Sequence, residues 1–205
     1  MPTIERGQHV SVLGETGTGK TYWAQHYLAK ERRVIVVDTE EGYDFKEKEW
    51  KPVTLSQLDH SGVLQHEDRA FHFAFRPRDG EEEADVESLC QLVLKKGRNL
   101  IVYFDEITDY SDANRCGPWL KKMFRKARKR RITTMAATQR PAGFNHWFSE
   151  NSQHQLIFYI HPYDSVNSPA GKIIEEYRDQ VPYGSFRYVY VSPAGEITVR
   201  GGKSP

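Results

Sequence analysis

Short apolar runs, rich in β-branched and aromatic residues, alternate along the chain with segments of helical periodicity. The runs predict six strands, over 9–13, 33–38, 70–75, 100–104, 132–138 and 155–160. The periodic segments predict four helices, over 19–30, 81–96, 117–130 and 168–180. Strands that alternate with helices build parallel sheets with helices on both faces. The pattern therefore predicts an α/β fold with a mostly parallel sheet.

Helix-end signals and a hairpin signal refine this prediction. One predicted helix is entered through Glu81, Glu82 and Glu83, where the helix dipole favours negative charge. Ser168 and Pro169 suit the N-cap and the first position of another helix. Near the end of the chain, SFRYVYV and EITVR alternate on both sides of SPAG, which predicts a β-hairpin.

Residues 42–69 show little periodicity and mix lysine, acidic residues and histidine. We therefore expect an excursion from the sheet in this segment and not a separate domain. No repeat, low-complexity tract or linker divides the sequence. A single domain over 1–205 is predicted, with a core at about 9–161 and a C-terminal helix and hairpin over 162–205.

Composition excludes several classes of protein. A length of 205 residues is enough to bury a core without disulfides, and two cysteines make neither a disulfide framework nor a metal quartet. The mean hydropathy is −0.69, and the longest uncharged apolar stretch, at 100–104, is far short of a membrane span. The net charge is +1, from 29 basic and 28 acidic residues, which argues against a protein that coats nucleic acid with its whole surface.

The strongest motif follows the first predicted strand and opens the first predicted helix. It reads Gly14-Glu15-Thr16-Gly17-Thr18-Gly19-Lys20-Thr21 and satisfies GxxxxGK[ST]. Glycines let backbone N–H groups converge on an anion, and the helix N-terminus adds its dipole. Lys20 would reach the β- and γ-phosphates, and the Thr21 hydroxyl would bind Mg²⁺. The motif therefore predicts a nucleotide site.

Two carboxylates directly follow the apolar strand predicted at 100–104. Asp105 is placed to hold Mg²⁺, and Glu106 can polarise an attacking water as a general base. A kinase needs only the first acid, since its substrate brings the acceptor hydroxyl, so Glu106 favours hydrolysis of ATP. Two acids at a strand end are by themselves also an ordinary turn; the upstream motif favours the catalytic interpretation.

The strand predicted at 132–138 runs into Gln139-Arg140-Pro141. In P-loop ATPases with an additional central strand, this strand lies between the P-loop strand and the acidic strand, so its end faces the γ-phosphate. Gln139 would hydrogen-bond that phosphate or the water and report which nucleotide is bound. Such a sequence is also an ordinary polar turn, and this alternative stays open.

Residues 121–131, KKMFRKARKRR, contain eight basic residues in eleven. An apolar stripe at helical spacing predicts the face that docks on the sheet: Leu120, Met123, Phe124 and Ala127. Four cations lie off that stripe: Lys121, Arg125, Arg128 and Lys129. Three interpretations stay open, namely a solvated helix face, a DNA-binding patch whose affinity falls with salt, and an arginine finger aimed at the γ-phosphate of a neighbouring subunit.

The order of the motifs resembles the FtsK–HerA superfamily of DNA-pumping ATPases over about residues 9–161. The matching segments are GETGTGKT, VIVVDTEEGYD, VYFDEITDY and ITTMAATQRP. Asp38, followed by Glu40, Gly42 and Tyr43, is similar to an aspartate–glycine–glutamate–tyrosine pattern of that group, with slightly different spacing. The DEITD segment and the ATQRP ending are the more specific matches.

The resemblance implies a RecA-like P-loop NTPase core of the additional-strand type that binds ATP and Mg²⁺. It also implies a ring homo-oligomer, commonly a hexamer, that drives double-stranded DNA through a central channel. Alignment outward from the TQRP ending makes Arg128 the first candidate for the trans-acting finger and Arg125 the second.

The chain resembles a bare motor core, similar to the compact genome-packaging ATPases of tailless icosahedral viruses with an internal membrane. That likeness implies a location in the virion or the host-cell cytoplasm, and contacts with capsid-vertex or membrane proteins. Other functions stay open. A Zot-like virion assembly factor acting on protein usually adds a membrane-spanning segment; a cellular or plasmid DNA-transfer ATPase shares the core; and a small-molecule kinase is disfavoured by Glu106 and Gln139.

Overall fold

A computed structural model describes residues 1–39, 50–165 and 169–202. In these residues the strands are β1 (Val10–Leu13), β2 (Arg33–Val37), β3 (Lys51–Val53), β4 (Phe71–Phe75), β5 (Ile101–Phe104), β6 (Thr133–Thr138), β7 (His154–Ile157), β8 (Arg187–Val191) and β9 (Ile197–Gly201). The helices are α1 (Lys20–Leu28), α2 (Leu55–His60), α3 (Glu82–Lys96), α4 (Pro118–Lys126), α5 (His146–Asn151), α6 (Pro162–Ser165) and α7 (Pro169–Tyr177).

The strands form one sheet in the order β3-β4-β2-β5-β6-β1-β7-β8-β9. The strands from β3 to β7 pair in parallel, whereas β8 and β9 are antiparallel additions. The predicted α/β fold is therefore confirmed. Strand β6 lies between β1 and β5, as predicted, so the carboxyl ends of these three strands are neighbours at one edge of the sheet.

Alternate side chains of the parallel strands enter two apolar cores, one on each face. In β2, Val34 and Val36 pack on the side of α1, whereas Ile35 and Val37 pack on the side of the other helices. The α1 side is rich in aromatic rings from the helix and from the last strands. The opposite side holds residues of α2, α3, α4, α5 and α7. Helices on both faces agree with the prediction.

The prediction of an excursion at 42–69 is wrong where the structure describes this segment. Strand β3 pairs in parallel with β4 at the edge of the sheet. Helix α2 begins with a capping box in which the Thr54 hydroxyl and the Gln57 side chain each bind the other residue's backbone N–H. A three-residue edge strand with Pro52 in its middle has too short a pattern to be seen in the sequence.

The predicted helix at 117–130 is shorter than expected. It ends as an α-helix at Lys126 and continues as a 3₁₀ turn over 127–130, after which Arg131 has a φ of 56°. Its apolar stripe is buried, as predicted: Leu120, Met123, Phe124 and Ala127. Pro169 begins α7, and the predicted N-cap Ser168 lies outside the described residues.

The predicted hairpin forms and joins the sheet through β7. Because β8 runs antiparallel to β7, its start and the end of β9 lie at the same edge as the carboxyl ends of the parallel strands. None of the helices in the described ranges is long and apolar enough to cross a membrane.

Candidate functional site

The segment Gly14–Thr21, which we call the P-loop, connects β1 to α1. Gly14 has a φ of 148°, and a Cβ there would lie 2.6 Å from the Cβ of Phe158. Gly19 precedes α1 with a φ of 105°, and a Cβ there would lie 2.7 Å from a ring carbon of Phe186. Both the backbone conformation and the close approach require glycine at these two positions.

Bonds within the P-loop fix its shape. The Lys20 ammonium donates to the Glu15 carbonyl oxygen at 2.9 Å, and the Thr18 hydroxyl donates to the same oxygen at 2.7 Å. The Glu15 carboxylate accepts the backbone N–H of His161 at 2.6 Å, which ties the loop to the segment after β7. Lys20 is therefore held over the loop, where a bound phosphate would sit against the N-terminus of α1.

One pocket brings most of the predicted site residues together. It has a volume of about 260 Å³ and lies where β1, β6 and β5 end. Its lining includes the predicted residues Thr16, Gly17, Gly19, Lys20, Thr21, Asp105, Glu106 and Gln139. Residues from three neighbouring strand ends thus face the same space.

Asp105 and Thr21 supply oxygen ligands of the kind that Mg²⁺ prefers. The Asp105 side chain is largely buried, and the Tyr103 hydroxyl donates to its Oδ1 at 3.3 Å. No cluster of three or more His, Cys, Asp or Glu side chains suited to a metal occurs among the described residues. One carboxylate and one hydroxyl fit an ion that takes its other ligands from water and substrate phosphates, as Mg²⁺ does in P-loop proteins.

Glu106 is held in a fixed place between β5 and β6. Its carboxylate accepts the Thr138 hydroxyl at 2.7 Å, the Gln139 backbone N–H at 2.7 Å, and the Thr108 hydroxyl. The residue has a φ of 41°, a backbone conformation that non-glycine residues rarely adopt. Such strain is typical of functional positions.

Gln139 links the P-loop to Glu106. Its side-chain oxygen accepts the Thr16 hydroxyl, and its backbone N–H binds Glu106. One residue therefore contacts both the loop that would hold phosphate and the carboxylate that would activate water. This arrangement suits the sensor role predicted for Gln139.

Further charged residues follow the carboxyl ends of β2, β4 and β5. Asp38, at the end of β2, is buried and lies 3.4 Å from Nε of Arg76. The Asp109 carboxylate accepts the Thr39 hydroxyl at 2.8 Å, and desolvation raises the pKa of Asp109 above its ordinary value. The other members of the quoted pattern, Glu40, Gly42 and Tyr43, lie outside the described residues.

The basic segment lies elsewhere in the molecule. Arg128 packs against Gly7, whose Cβ would lie 3.1 Å from the Arg128 carbonyl oxygen, at the edge where β1 and β6 begin. Arg125 and Lys129 are exposed, and Lys121 is half-buried. The P-loop is at the edge of the sheet opposite Arg128, and none of these basic residues lines the pocket.

The sequence did not indicate that the C-terminal segment contacts the P-loop. The Tyr183 hydroxyl donates to the Thr16 carbonyl oxygen at 3.3 Å. The ring of Phe186 covers Gly19 and lies 5.8 Å from the ring of Tyr22, centroid to centroid. Alternating aromatic residues were a signal for the hairpin. Their contact with α1 depends on the pairing of β8 with β7, and local sequence patterns do not show which strands pair across a long sequence separation.

No protein-family model matches the sequence, and no curated protein matches it. Solved structures do. The genome packaging NTPase B204 from Sulfolobus turreted icosahedral virus 2, in complex with ATPγS, has a TM-score of 0.76 at 14% identity, over 98% of this chain and 100% of that chain. B204, the DNA-packaging ATPase from Sulfolobus turreted icosahedral virus, has a TM-score of 0.74 at 15% identity, over 98% of this chain and 100% of that chain.

A more distant likeness is to the cytoplasmic domain of the Thermomonospora curvata type VII secretion ATPase EccC. The TM-score is 0.58 at 13% identity, over 97% of this chain and 25% of that chain. At these identities the likeness shows the fold, which is that of P-loop ATPases. The predicted P-loop NTPase fold is therefore confirmed.

Proposed function

We propose that this protein is an ATP-hydrolysing motor that moves double-stranded DNA, and that it packages a viral genome into a preformed capsid. The observation that carries the proposal is the convergence of the P-loop, Asp105, Glu106 and Gln139 on one pocket. The likeness in fold to B204 over the whole chain supports the choice of packaging among the possible tasks of such an ATPase.

The residues of the pocket suit hydrolysis of the terminal phosphate. Lys20 and the P-loop N–H groups would hold the β- and γ-phosphates, and Thr21 and Asp105 would hold Mg²⁺, which neutralises charge on those phosphates. The oxygen of a water molecule would attack the γ-phosphorus, and Glu106 would accept a proton from that water. The bond from that phosphorus to the bridging oxygen breaks, and ADP leaves with the electron pair.

The assembly is part of the proposal. A ring homo-oligomer, with a hexamer as the expected form, would place the exposed basic segment of one subunit next to the nucleotide of another. Arg128 would act there as the trans-acting finger, while Lys121, Arg125 and Lys129 would contact DNA or the neighbouring subunit. The ring would contact capsid-vertex or membrane proteins, and the protein would be located in the virion or in the host-cell cytoplasm.

The deciding experiment measures the ATPase rate with and without double-stranded DNA, together with the mass in solution in the presence of ATP. We expect stimulation by DNA, a ring-sized assembly, and no activity in a Lys20→Ala variant. Stimulation by coat protein and not by DNA would favour the virion assembly factor instead. Phosphate transfer to a nucleoside that outpaces hydrolysis would favour a kinase.

A further inference from the structure

A second cavity continues from the phosphate pocket toward the C-terminal hairpin. It has a volume of about 390 Å³ and shares Gly19, Tyr22 and Phe186 with the phosphate pocket. Its remaining walls include Trp23 of α1 and Tyr188 of β8. Apart from Gly19, the residues that line this cavity belong to none of the motifs discussed above.

The walls of this cavity are aromatic and mutually supported. Tyr22 and Phe186 meet edge to face at 5.8 Å, and Trp23 and Tyr188 do so at 6.4 Å. Tyr188 also lies 5.0 Å from Phe158, which is buried. These contacts hold the rings in place as an aromatic wall of the cavity, and such a wall favours stacking of a flat apolar group on it.

Phe186 has a backbone conformation that is unfavourable for a bulky residue. Its φ is 54°, in the left-handed region that bulky residues avoid. This conformation brings the ring over Gly19, where any side chain would collide with it. Strain that persists in a ligand pocket is a recognised sign of function.

The rim of the cavity adds polar groups. Arg200 of β9 lines it, held by a 3.1 Å hydrogen bond from its Nε to the Thr198 hydroxyl and by a 4.2 Å stack over Tyr190. The backbone of Gly201 and Gly202 lines the same side. An aromatic slot with a few polar groups at its mouth is the usual design of a pocket for a heterocyclic ring.

We propose that this cavity binds the base of the nucleotide whose phosphates would lie in the P-loop, with the base stacked on the aromatic wall that Tyr22 and Phe186 form. The inference rests on the proposed nucleotide site. Phosphates held at Lys20 and Thr21 would place the sugar near the next residue of α1, Tyr22, which lines both pockets. The hairpin thereby becomes part of the substrate site, and a nucleoside phosphate is distinguished from an inorganic one.

The test compares two ligands that have no γ-phosphate, ADP and inorganic pyrophosphate, each titrated calorimetrically with Mg²⁺ present. We expect Tyr22→Ala to weaken ADP about tenfold, as removal of an aromatic stack from a base does, and to leave pyrophosphate unchanged. Tyr22→Phe keeps the ring and should keep ADP affinity. Tyr163→Ala removes a ring that is 82% exposed and outside the cavity, and it serves as the matched control.

Tyr22 is partly exposed on a helix, so its replacement by alanine is not expected to unfold the chain. A second variant, Phe186→Ala, should show the same selective loss of ADP. If Tyr22→Ala and Phe186→Ala bind ADP as the wild type does, or if Tyr22→Ala weakens ADP and pyrophosphate equally, the base subsite is refuted. Failure of the motor proposal looks different, because DNA would not stimulate hydrolysis while the ADP-selective loss persisted.

Discussion

Glu106 combines strained backbone with three hydrogen bonds to its carboxylate. The donors come from the turn after β5 and from the end of β6, so the carboxylate is positioned by two neighbouring strands. A group fixed in this way needs little reorganisation to act on a water at the γ-phosphate. The same bonds make Glu106 a structural link, which a test of its role has to separate from catalysis.

We expect Glu106→Gln to lower the ATPase rate by about 100-fold or more, the usual contribution of a general base. Glutamine keeps the shape and an acceptor oxygen, so ATP affinity and thermal stability should stay close to those of the wild type. Steady-state hydrolysis and equilibrium ATP binding measure the two effects. Glu150→Gln, at an exposed position, is the control, and an active Glu106→Gln enzyme would remove this residue from the role of base.

At the scale of elements, helix α4 depends on a residue of α3 for its cap. Its N-cap, Gly117, has no side chain, and the Glu87 carboxylate accepts the backbone N–H groups of Trp119 and Leu120, each at 2.8 Å. The first turn of a helix leaves such N–H groups without partners, and a carboxylate there also meets the positive end of the helix dipole. The basic segment is thus oriented by a contact between helices.

We expect Glu87→Ala to lower the free energy of unfolding by about 1.5–3 kcal/mol, the range for hydrogen bonds to a charged group. Gly117→Ala should also destabilise, because its Cβ would lie 2.2 Å from Oε1 of Glu87 and displace the carboxylate. Urea denaturation monitored by circular dichroism measures both changes. Glu83→Ala breaks an exposed ion pair with Arg115 and should change the stability by less than about 1 kcal/mol. Equal effects of Glu83→Ala and Glu87→Ala would contradict the capping role.

The elements also show where prediction from sequence succeeds. The P-loop and the β5 carboxylates could be identified because their spacing is local and each follows a clear apolar strand. Strand β3 was missed because three residues around Pro52 carry no measurable period. The contact of Phe186 with Gly19 was missed for a different reason, since it arises only when β8 pairs with β7, across long sequence separation.

For the whole molecule, two buried histidines make stability depend on pH. Burial, with Arg128 nearby, lowers the pKa of His9 from 6.5 to about 4, and burial also lowers the pKa of His154. The backbone N–H of Thr134 donates to Nδ1 of His9 at 3.2 Å, so that nitrogen carries no proton in the folded chain. Between pH 6.5 and 4 the unfolded chain therefore binds more protons than the folded chain.

Above about pH 6.5, His9 is neutral in both states and does not reduce the free energy of unfolding. As the pH falls toward 4, protonation of His9 in the unfolded chain lowers the free energy of unfolding by up to about 3 kcal/mol. Thermal melting at pH 7.5, 6 and 5 should show this loss. His9→Asn keeps an acceptor near the position of Nδ1 and should reduce the slope, whereas the exposed His60→Asn should not. An unchanged slope in His9→Asn would show that His9 is not responsible.

The proposed ring gives a prediction at the same scale. Arg128 lies at the edge of the sheet opposite the P-loop, so its proposed action requires a neighbouring subunit. We expect Arg128→Ala to keep ATP binding and to lose about 1,000-fold in hydrolysis, with turnover partly restored by added wild-type subunits. Lys126→Ala, at an exposed position at the end of α4, should stay active. Full activity of purified Arg128→Ala would contradict the role.

The order of the sheet has a mechanical consequence. The P-loop, Gln139 and Asp105 follow three strands that are hydrogen-bonded neighbours, and adjacent strands keep a spacing of about 4.8 Å. The width of the site is thereby fixed at roughly 10 Å by backbone hydrogen bonds on both sides of β6. For the proposed motor we therefore expect loops and the rotation of whole subunits to produce the movement, while the spacing of these three strand ends stays constant.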